Sequence, residues 1–186
     1  MFQLPPSLSG LLSAEIVSQY PRRVPNQSLH PTLRSLTAAS LFPVQVRSVA
    51  HAQCVLSGLW LIHGFLDQAH EICQAIPNAE GSFWHAIMHR MEGDNWNAKY
   101  WYQQVGRHEV IDRIAARLKT AWAPSSFVDQ CERVGESPPE SSAPIAIRRV
   151  AQIAWQELFA YCWEQASGEQ ASNGPAPTSS PPTGNS

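Results

Sequence analysis

The chain is poor in charged residues and has no basic patch. Asp, Glu, Lys and Arg make up 15% of its 186 residues, whereas about a quarter is usual in soluble domains. The formal net charge is −2, and the only adjacent basic pairs are Arg22–Arg23 and Arg148–Arg149. A nucleic-acid-binding protein normally carries a basic surface, so this composition argues against nucleic acid as a partner.

A long uninterrupted apolar run is also missing. The most apolar stretch, residues 49–66, is interrupted by His51, Gln53, Ser57 and His63. A membrane-spanning helix needs roughly 20 nearly uninterrupted apolar residues, so this stretch predicts a buried helix of a soluble core. The beginning of the chain lacks a basic segment followed by an apolar run, which predicts that there is no signal peptide. We therefore expect a cytoplasmic protein with no membrane partner.

Paired cysteines and the common nucleotide or hydrolase motifs are absent as well. No C-x-x-C occurs, and the cysteines are widely spaced: Cys54, Cys73, Cys131 and Cys162. We predict that they are reduced thiols of the core. The sequence contains no glycine-rich phosphate loop and no G-x-S-x-G, which argues against nucleotide hydrolysis and α/β-hydrolase chemistry.

Proline and small polar residues are concentrated at both ends of the chain. Residues 1–39 are rich in proline, serine and leucine and predict a loosely docked arm. From Gly168 onward no large apolar side chain is present, so residues 168–186 cannot offset the entropy of ordering and are predicted to be disordered. The folded body is then a single domain over residues 40–167.

Every periodic segment of that domain has helical spacing, which predicts an all-α, compact multi-helix bundle. The first helix is expected to begin near Pro43 with Ser40 as a nearby cap, and Asp94 is expected to cap the fourth. The predicted helices cover about residues 43–63, 66–76, 82–92, 94–105, 108–121, 126–134 and 144–166. The last helix has a second, aromatic edge formed by Trp155, Phe159 and Trp163.

Two segments of the chain align with each other at a fixed offset. Gly64 and Ala69 match Gly93 and Ala98, and each unit reads as helix, tight glycine turn, helix. This pattern resembles the tetratricopeptide repeat, in which small residues sit where two helices approach closely. The resemblance covers residues 56–105 and implies a partner-binding groove. The alternative is a pair of ordinary αα-hairpins within a closed bundle, which implies no groove.

The segment richest in polar and aromatic side chains is WHAIMHRMEGDNWNAKYWYQQVGRH, residues 84–108. It resembles an uncharacterised family of bacterial and fungal proteins that share a W-H-x3-H-R-x-E-x-D-x2-N-x-K-Y-W core. The matching residues are His85, His89, Arg90, Glu92, Asp94, Asn97, Lys99, Tyr100 and Trp101. No activity follows from this resemblance, but it marks the segment as a candidate site.

Helical geometry brings three of these polar residues together. At 100° per residue, His85, His89 and Glu92 lie within about 60° of one another, beside the apolar stripe of the same helix. Two imidazoles at i and i+4 can chelate a divalent metal such as Zn, Mn or Fe, and the carboxylate can add a ligand or a base. His63 and His70 from the preceding hairpin are further candidate ligands. The alternative is a structural hydrogen-bond network that contains no metal.

Three functions remain open from the sequence. The first is a small ligand- or partner-binding module, whose ligand is a small molecule, a protein or a peptide. Its pocket is predicted from His85, His89, Arg90, Glu92, Asp94, Asn97 and Tyr100. The second is a metal-dependent enzyme that uses His85, His89 and Glu92 with His63 or His70. The third is a structural subunit of an assembly.

Two further expectations concern residues that point away from the candidate metal ligands. Arg90 lies about 150° from His85 on the helix and is expected to pair with another helix or an acidic ligand. Trp96 and Tyr100 project from the side of their helix opposite the core. We predict that the last helix covers them; the alternative is that they form a platform for a ligand.

Overall fold

The computed structural model describes residues 10–21, 24–42, 46–135 and 143–168. Within these ranges all regular structure is helical and no strand occurs, which confirms the predicted all-α class. The helices in chain order are α1 (Ala14–Ser18), α2 (His30–Ser35), α3 (Ala38–Leu41), α4 (Val49–Ile62), α5 (Leu66–Cys73), α6 (Ala79–Glu92), α7 (Asn95–Val105), α8 (Glu109–Leu118), α9 (Pro124–Gly135) and α10 (Ala143–Ser167). A 3-10 turn, Gln27–Leu29, precedes α2.

Side-chain caps mark the starts of three of the longer helices. Ser48 caps α4, Asn78 caps α6 and Asp94 caps α7. In each case the side-chain oxygen accepts a hydrogen bond from the backbone N–H three residues further on, at 2.8 to 3.4 Å. Such a cap satisfies a backbone donor that the first helical turn leaves unpaired. The expected Asp94 cap is therefore present.

The caps also explain two differences from the predicted boundaries. The long apolar helix begins at Val49, directly after its Ser48 cap, while Ser40 lies inside α3. Helix α6 begins at Ala79 rather than near residue 82, because Asn78 supplies the cap. Pro43, the expected start of the first helix, lies outside the described residues.

Two helical hairpins form the centre of the bundle. Helix α4 packs on α5, α6 packs on α7, and α5 packs on α6. Gly64 and Gly93 follow α4 and α6 with φ values of 82° and 89°, a left-handed conformation that glycine adopts without steric cost. Ala69 and Ala98 are fully buried, as expected where two helices come close together.

Helix α10 closes the bundle by packing on α4, α8 and α9. The close approach of α10 to α4 depends on Gly58, whose carbonyl accepts a 3.0 Å hydrogen bond from Trp155 Nε1. A Cβ atom at Gly58 would lie 2.8 Å from the Trp84 ring. The missing side chain thus lets two tryptophans pack around the same point of α4.

The described part of residues 1–39 contributes to the same core. Leu11, Leu12, Tyr20 and Leu33 are buried, and Gln152 of α10 donates hydrogen bonds to two carbonyls of the arm. The arm is therefore docked through apolar side chains. The predicted disorder of residues 168–186 concerns, apart from Gly168, a segment outside the described residues.

Two other expectations concern the cysteines and the membrane. All four cysteines are free thiols; Cys54, Cys73 and Cys162 are buried and Cys131 is half-buried. No helix in the part of the chain described here is both long enough and apolar enough to cross a bilayer.

Candidate metal centre on helices α5 and α6

The packing of α5 against α6 brings three imidazoles together. His70 on α5 meets His85 and His89 on α6, and one nitrogen of each ring lies within 4.8 Å of the others. The ring centroids of His85 and His89 are 4.7 Å apart, and His70 lies 4.6 Å from the first and 5.4 Å from the second. We call these three residues the histidine cluster.

His85 is the buried member of the histidine cluster. Its side chain is 5% exposed, and neither ring nitrogen has a hydrogen-bond partner. Burial and the neighbouring rings of His89 and His70 lower the pKa of His85 to about 4, so the ring is neutral at physiological pH. A buried nitrogen without a partner is costly, and a neutral imidazole lone pair is what a metal ion binds.

An indole ring fixes the other face of His85. Trp101 of α7 stacks on the imidazole with ring centroids 4.1 Å apart and an angle of 22° between the planes. Trp101 is half-buried, and the sequence gave no sign of this contact. The stack holds His85 in one orientation.

Glu92 orients His89 and does not join the three nitrogens as a ligand. Its carboxylate lies 3.1 Å from His89 Nδ1, and the Asp94 carboxylate lies 3.9 Å from the same nitrogen. A carboxylate accepts hydrogen bonds, so Nδ1 carries the proton and Nε2 keeps its lone pair. A carboxylate behind a ligating histidine is a common feature of metal sites, where it fixes the tautomer and the ring orientation.

Asp94 and Asn97 form a separate local pair. Both oxygens of Asp94 accept hydrogen bonds from Asn97, one from the backbone at 3.1 Å and one from the side-chain amide at 2.6 Å. These bonds lower the pKa of the Asp94 carboxyl. The pair begins α7 and stands at the edge of the histidine cluster.

His63 lies elsewhere. Its Nε2 is 3.0 Å from the carbonyl oxygen of Leu11, and the side chain is buried at the end of α4 against the N-terminal arm. Of the two histidines that the sequence offered from the preceding hairpin, the structure brings only His70 to His85. His63 directly follows the last residue of α4, and the docked arm contacts it there through Leu11 and Asn26.

Arg90 lies on a different side of α6, as its angular position predicted. Its guanidinium is buried above the ring of Phe127 at 5.2 Å and reaches Cys131 Sγ at 4.0 Å. Tyr20 and Tyr102 are its other neighbours. Arg90 therefore belongs to the contact between α6 and α9 and is not part of the same pocket as the histidine cluster.

The prediction that α10 covers Trp96 and Tyr100 is wrong. Trp96 is 75% exposed and Tyr100 is 43% exposed, and their rings stack on each other with centroids 6.0 Å apart. The aromatic edge of α10 packs elsewhere, with Trp155 on Trp84 and Trp163 on Phe42.

An open groove reaches Glu92, the partner of His89, although none of the three histidines lines it. It has a volume of about 430 Å³ and runs between the arm and the first turn of α5, with Glu92 on its wall. Its other polar lining residues are Gln27, His30, Asp67 and Gln68. The lining thus holds two carboxylates and neither lysine nor arginine, which favours the approach of a cation.

Comparison of the chain with protein-family models, with curated proteins and with solved structures finds no match.

Proposed function

We propose that the protein binds one divalent transition-metal ion through His70, His85 and His89. The observation that carries this proposal is the close approach of three imidazole nitrogens, one from each histidine. One of the rings, that of His85, is buried and has no hydrogen-bond partner. Zinc–nitrogen bonds are about 2.0–2.1 Å long, so the nitrogens of a tetrahedral site lie about 3.4 Å apart. In the structure the nitrogens lie within 4.8 Å of one another and the rings of His85 and His89 stack at 19°, so metal binding requires His70 and His89 to rotate towards His85.

The ligand set favours zinc among the ions that the sequence left open. Imidazole suits zinc, copper, nickel and iron, whereas manganese prefers oxygen ligands. Three protein ligands also leave the fourth position of a tetrahedral ion for water or substrate, which is typical of catalytic zinc sites. Zinc lowers the pKa of such a water towards neutrality. A metal-dependent enzyme that takes its substrate from the groove beside Glu92 is thus the leading form of this function.

A partner-binding module is the second candidate function. It is supported by the exposed, stacked Trp96 and Tyr100 and by the resemblance of the two hairpins to tetratricopeptide repeats. Stacked aromatics of this size are common in protein interfaces. This surface lies on the outer side of α7, so its removal is expected to leave metal binding unchanged.

The metal site can be tested by titration of untagged protein that has been stripped with a chelator. Isothermal titration with ZnCl₂ is expected to show one ion per chain. His70→Ala and His89→Ala should each weaken binding by at least about 100-fold, and Glu92→Gln by about 10- to 100-fold. His30→Ala serves as the matched control, since His30 lies outside the histidine cluster. Trp96→Ala/Tyr100→Ala should bind zinc as the wild type does.

Two further readouts make the titration decisive. Protons compete with the ion for the imidazoles, so zinc affinity should fall as the pH is lowered below 6. Zinc at about 100 times its Kd should raise the free energy of unfolding by about 2.7 kcal/mol. The proposal fails if zinc, cobalt, nickel and copper all show no binding at 1:1, or if both histidine variants bind as tightly as the wild type.

A further inference from the structure

A second cluster of titratable side chains lies at the opposite end of α6 from His89 and Glu92. Glu80 is buried, and its Oε1 lies 3.1 Å from His108 Nε2 and 3.4 Å from His51 Nε2. Ser48 Oγ lies 2.7 Å from the other nitrogen of His51, Nδ1. These four residues come from the starts of α4, α6 and α8.

The hydrogen bonds determine where the protons of this cluster lie. The backbone N–H of Val110 donates to His108 Nδ1 at 3.2 Å, so the proton of the neutral His108 ring is on Nε2 and points to Glu80. His51 must likewise donate from Nε2, because a carboxylate only accepts. Nδ1 of His51 is then an acceptor, and the Ser48 hydroxyl donates its proton to it.

We propose that the protein transfers the acyl group of small carboxylic esters. In this reaction Ser48 is the nucleophile, His51 is its general base, and the Glu80 carboxylate orients His51. This activity is independent of the proposed metal site. Ser48 and His51 are the catalytic residues, and Glu80 is a positioning residue that holds the tautomer of His51. A serine within hydrogen-bond reach of a base that is oriented by a third group is the general pattern of such nucleophiles. In the serine proteases Nε2 of the histidine faces the serine and Nδ1 faces the carboxylate, whereas here Nδ1 faces Ser48 and Nε2 faces Glu80. The two arrangements are equivalent in function, because such a triad is defined by the geometry of its groups.

The reaction balances with the groups present. Ser48 Oγ bonds to the ester carbonyl carbon while its proton moves to His51 Nδ1. The bond from that carbon to the alcohol oxygen then breaks, and the alcohol leaves with the proton from His51. Water gives a proton to His51 and attacks the acyl-serine, which releases the carboxylic acid and restores the Ser48 hydroxyl.

Exposure and backbone geometry are compatible with this chemistry. Glu80 and His108 have side chains that are 9% and 7% exposed, whereas the His51 side chain is 18% exposed and Ser48 is half-buried. The acid is thus inside and the nucleophile at the surface. Because Ser48 is the N-cap of α4, its hydroxyl lies at the helix end whose first N–H groups have no partner within the helix. The His51 N–H donates to Ser48 Oγ itself, which leaves those of Val49 and Ala50 to face a developing oxyanion.

Helix capping alone does not account for the arrangement. The N-cap role needs only the Ser48 oxygen and the backbone N–H of His51, which lie 3.4 Å apart. It does not require the His51 ring to reach Glu80, which is 29 positions away in the chain.

The experiment separates the nucleophile from the cap. The full chain is incubated with a fluorophosphonate probe, and the labelled residue is located by mass spectrometry. Hydrolysis of p-nitrophenyl acetate is measured in parallel, with and without EDTA. Wild type should be labelled at Ser48. The Ser48→Ala variant should hydrolyse the ester at least about 100-fold more slowly than wild type. Ser48→Asp keeps a good N-cap, so it should retain the melting temperature and lose both labelling and hydrolysis.

The outcomes distinguish this proposal from its rivals. Labelling at Ser48 and hydrolysis that survives EDTA support it, and zinc titration of Ser48→Asp should still show the metal site. No labelling at Ser48, or equal hydrolysis by wild type and Ser48→Asp, overturns it and leaves Ser48 as a cap only. Hydrolysis abolished by EDTA also overturns it, because the activity then belongs to the metal.

Discussion

Replacement of Glu80 by glutamine tests a buried carboxylate that two imidazoles contact. Glutamine has nearly the same size and its amide oxygen can still accept from both imidazole N–H groups, which share Oε1 of Glu80, but the substitution removes the negative charge. Hydrogen bonds to a charged group contribute about 1.5–3 kcal/mol and those between neutral groups about 1 kcal/mol. With His51 and His108 both affected, we expect Glu80→Gln to lower the free energy of unfolding by about 1–4 kcal/mol. For a chain of this size that corresponds to a melting temperature lower by roughly 2–16 °C.

The pH dependence of this loss has a definite sign. Burial alone would raise the pKa of the Glu80 carboxyl, but hydrogen bonds from His108 and His51 hold it well below its ordinary value of 4.5. A carboxyl whose pKa is lowered by folding stabilises the protein above its unfolded-state pKa, and this contribution is lost as the pH falls towards the folded-state pKa. The difference in stability between wild type and Glu80→Gln should therefore be full at pH 7 and shrink between pH 5 and pH 3.

Thermal unfolding followed by circular dichroism at pH 7, 5, 4 and 3 provides the measurement. The matched control is Glu109→Gln, since Glu109 is 59% exposed and pairs with Arg113 on the surface. Exposed ion pairs contribute about 0–1 kcal/mol, so this variant should change little at any pH. The reasoning would be refuted if Glu80→Gln were no less stable than Glu109→Gln at pH 7, or if the gap to wild type grew on acidification.

Two further substitutions test the packing of the hairpins by chemical denaturation. Gly→Ala in a helix usually stabilises by about 0.5–1 kcal/mol. Gly81→Ala should instead destabilise the protein by at least about 2 kcal/mol, because the new Cβ would lie 2.2 Å from the carbonyl oxygen of Ile76. A stabilised Gly81→Ala would contradict that contact. Ala98→Leu should lose about 1–3 kcal/mol through overpacking, since Ala98 is fully buried on α7, the helix that packs on α6. An unchanged midpoint would show that the helices have room to separate.

Much of the helical organisation could be read from local sequence. Caps act within three residues and helical periodicity within one or two turns, so the Asp94 cap and the glycine ends at Gly64 and Gly93 were predicted. The start of the first long helix was missed because both Ser40 and Ser48 suit a cap. Only the folded structure shows that Ser40 lies within α3 and that Ser48 caps α4.

Which aromatic residues are buried was harder to predict from the sequence. Trp96 and Tyr100 were expected under α10 because both elements offered unpaired aromatic edges. In the structure Trp155 and Phe159 of α10 stack on each other, and α10 packs on α4. Which apolar faces meet depends on the order and direction of all the helices, and no local pattern carries that information.

In both candidate sites, the sequence determined which residues are neighbours on one helix, and the tertiary structure determined which residues of other helices join them. The sequence by itself determined that His85, His89 and Glu92 share one face of a helix, because residues three and four apart are neighbours in any α-helix. Only the tertiary structure added His70, moved His63 to the arm, and made Glu92 a partner of His89. It alone joined Ser48, Glu80 and His108, since residues far apart in the chain meet only where helices pack, and packing is decided by the whole core.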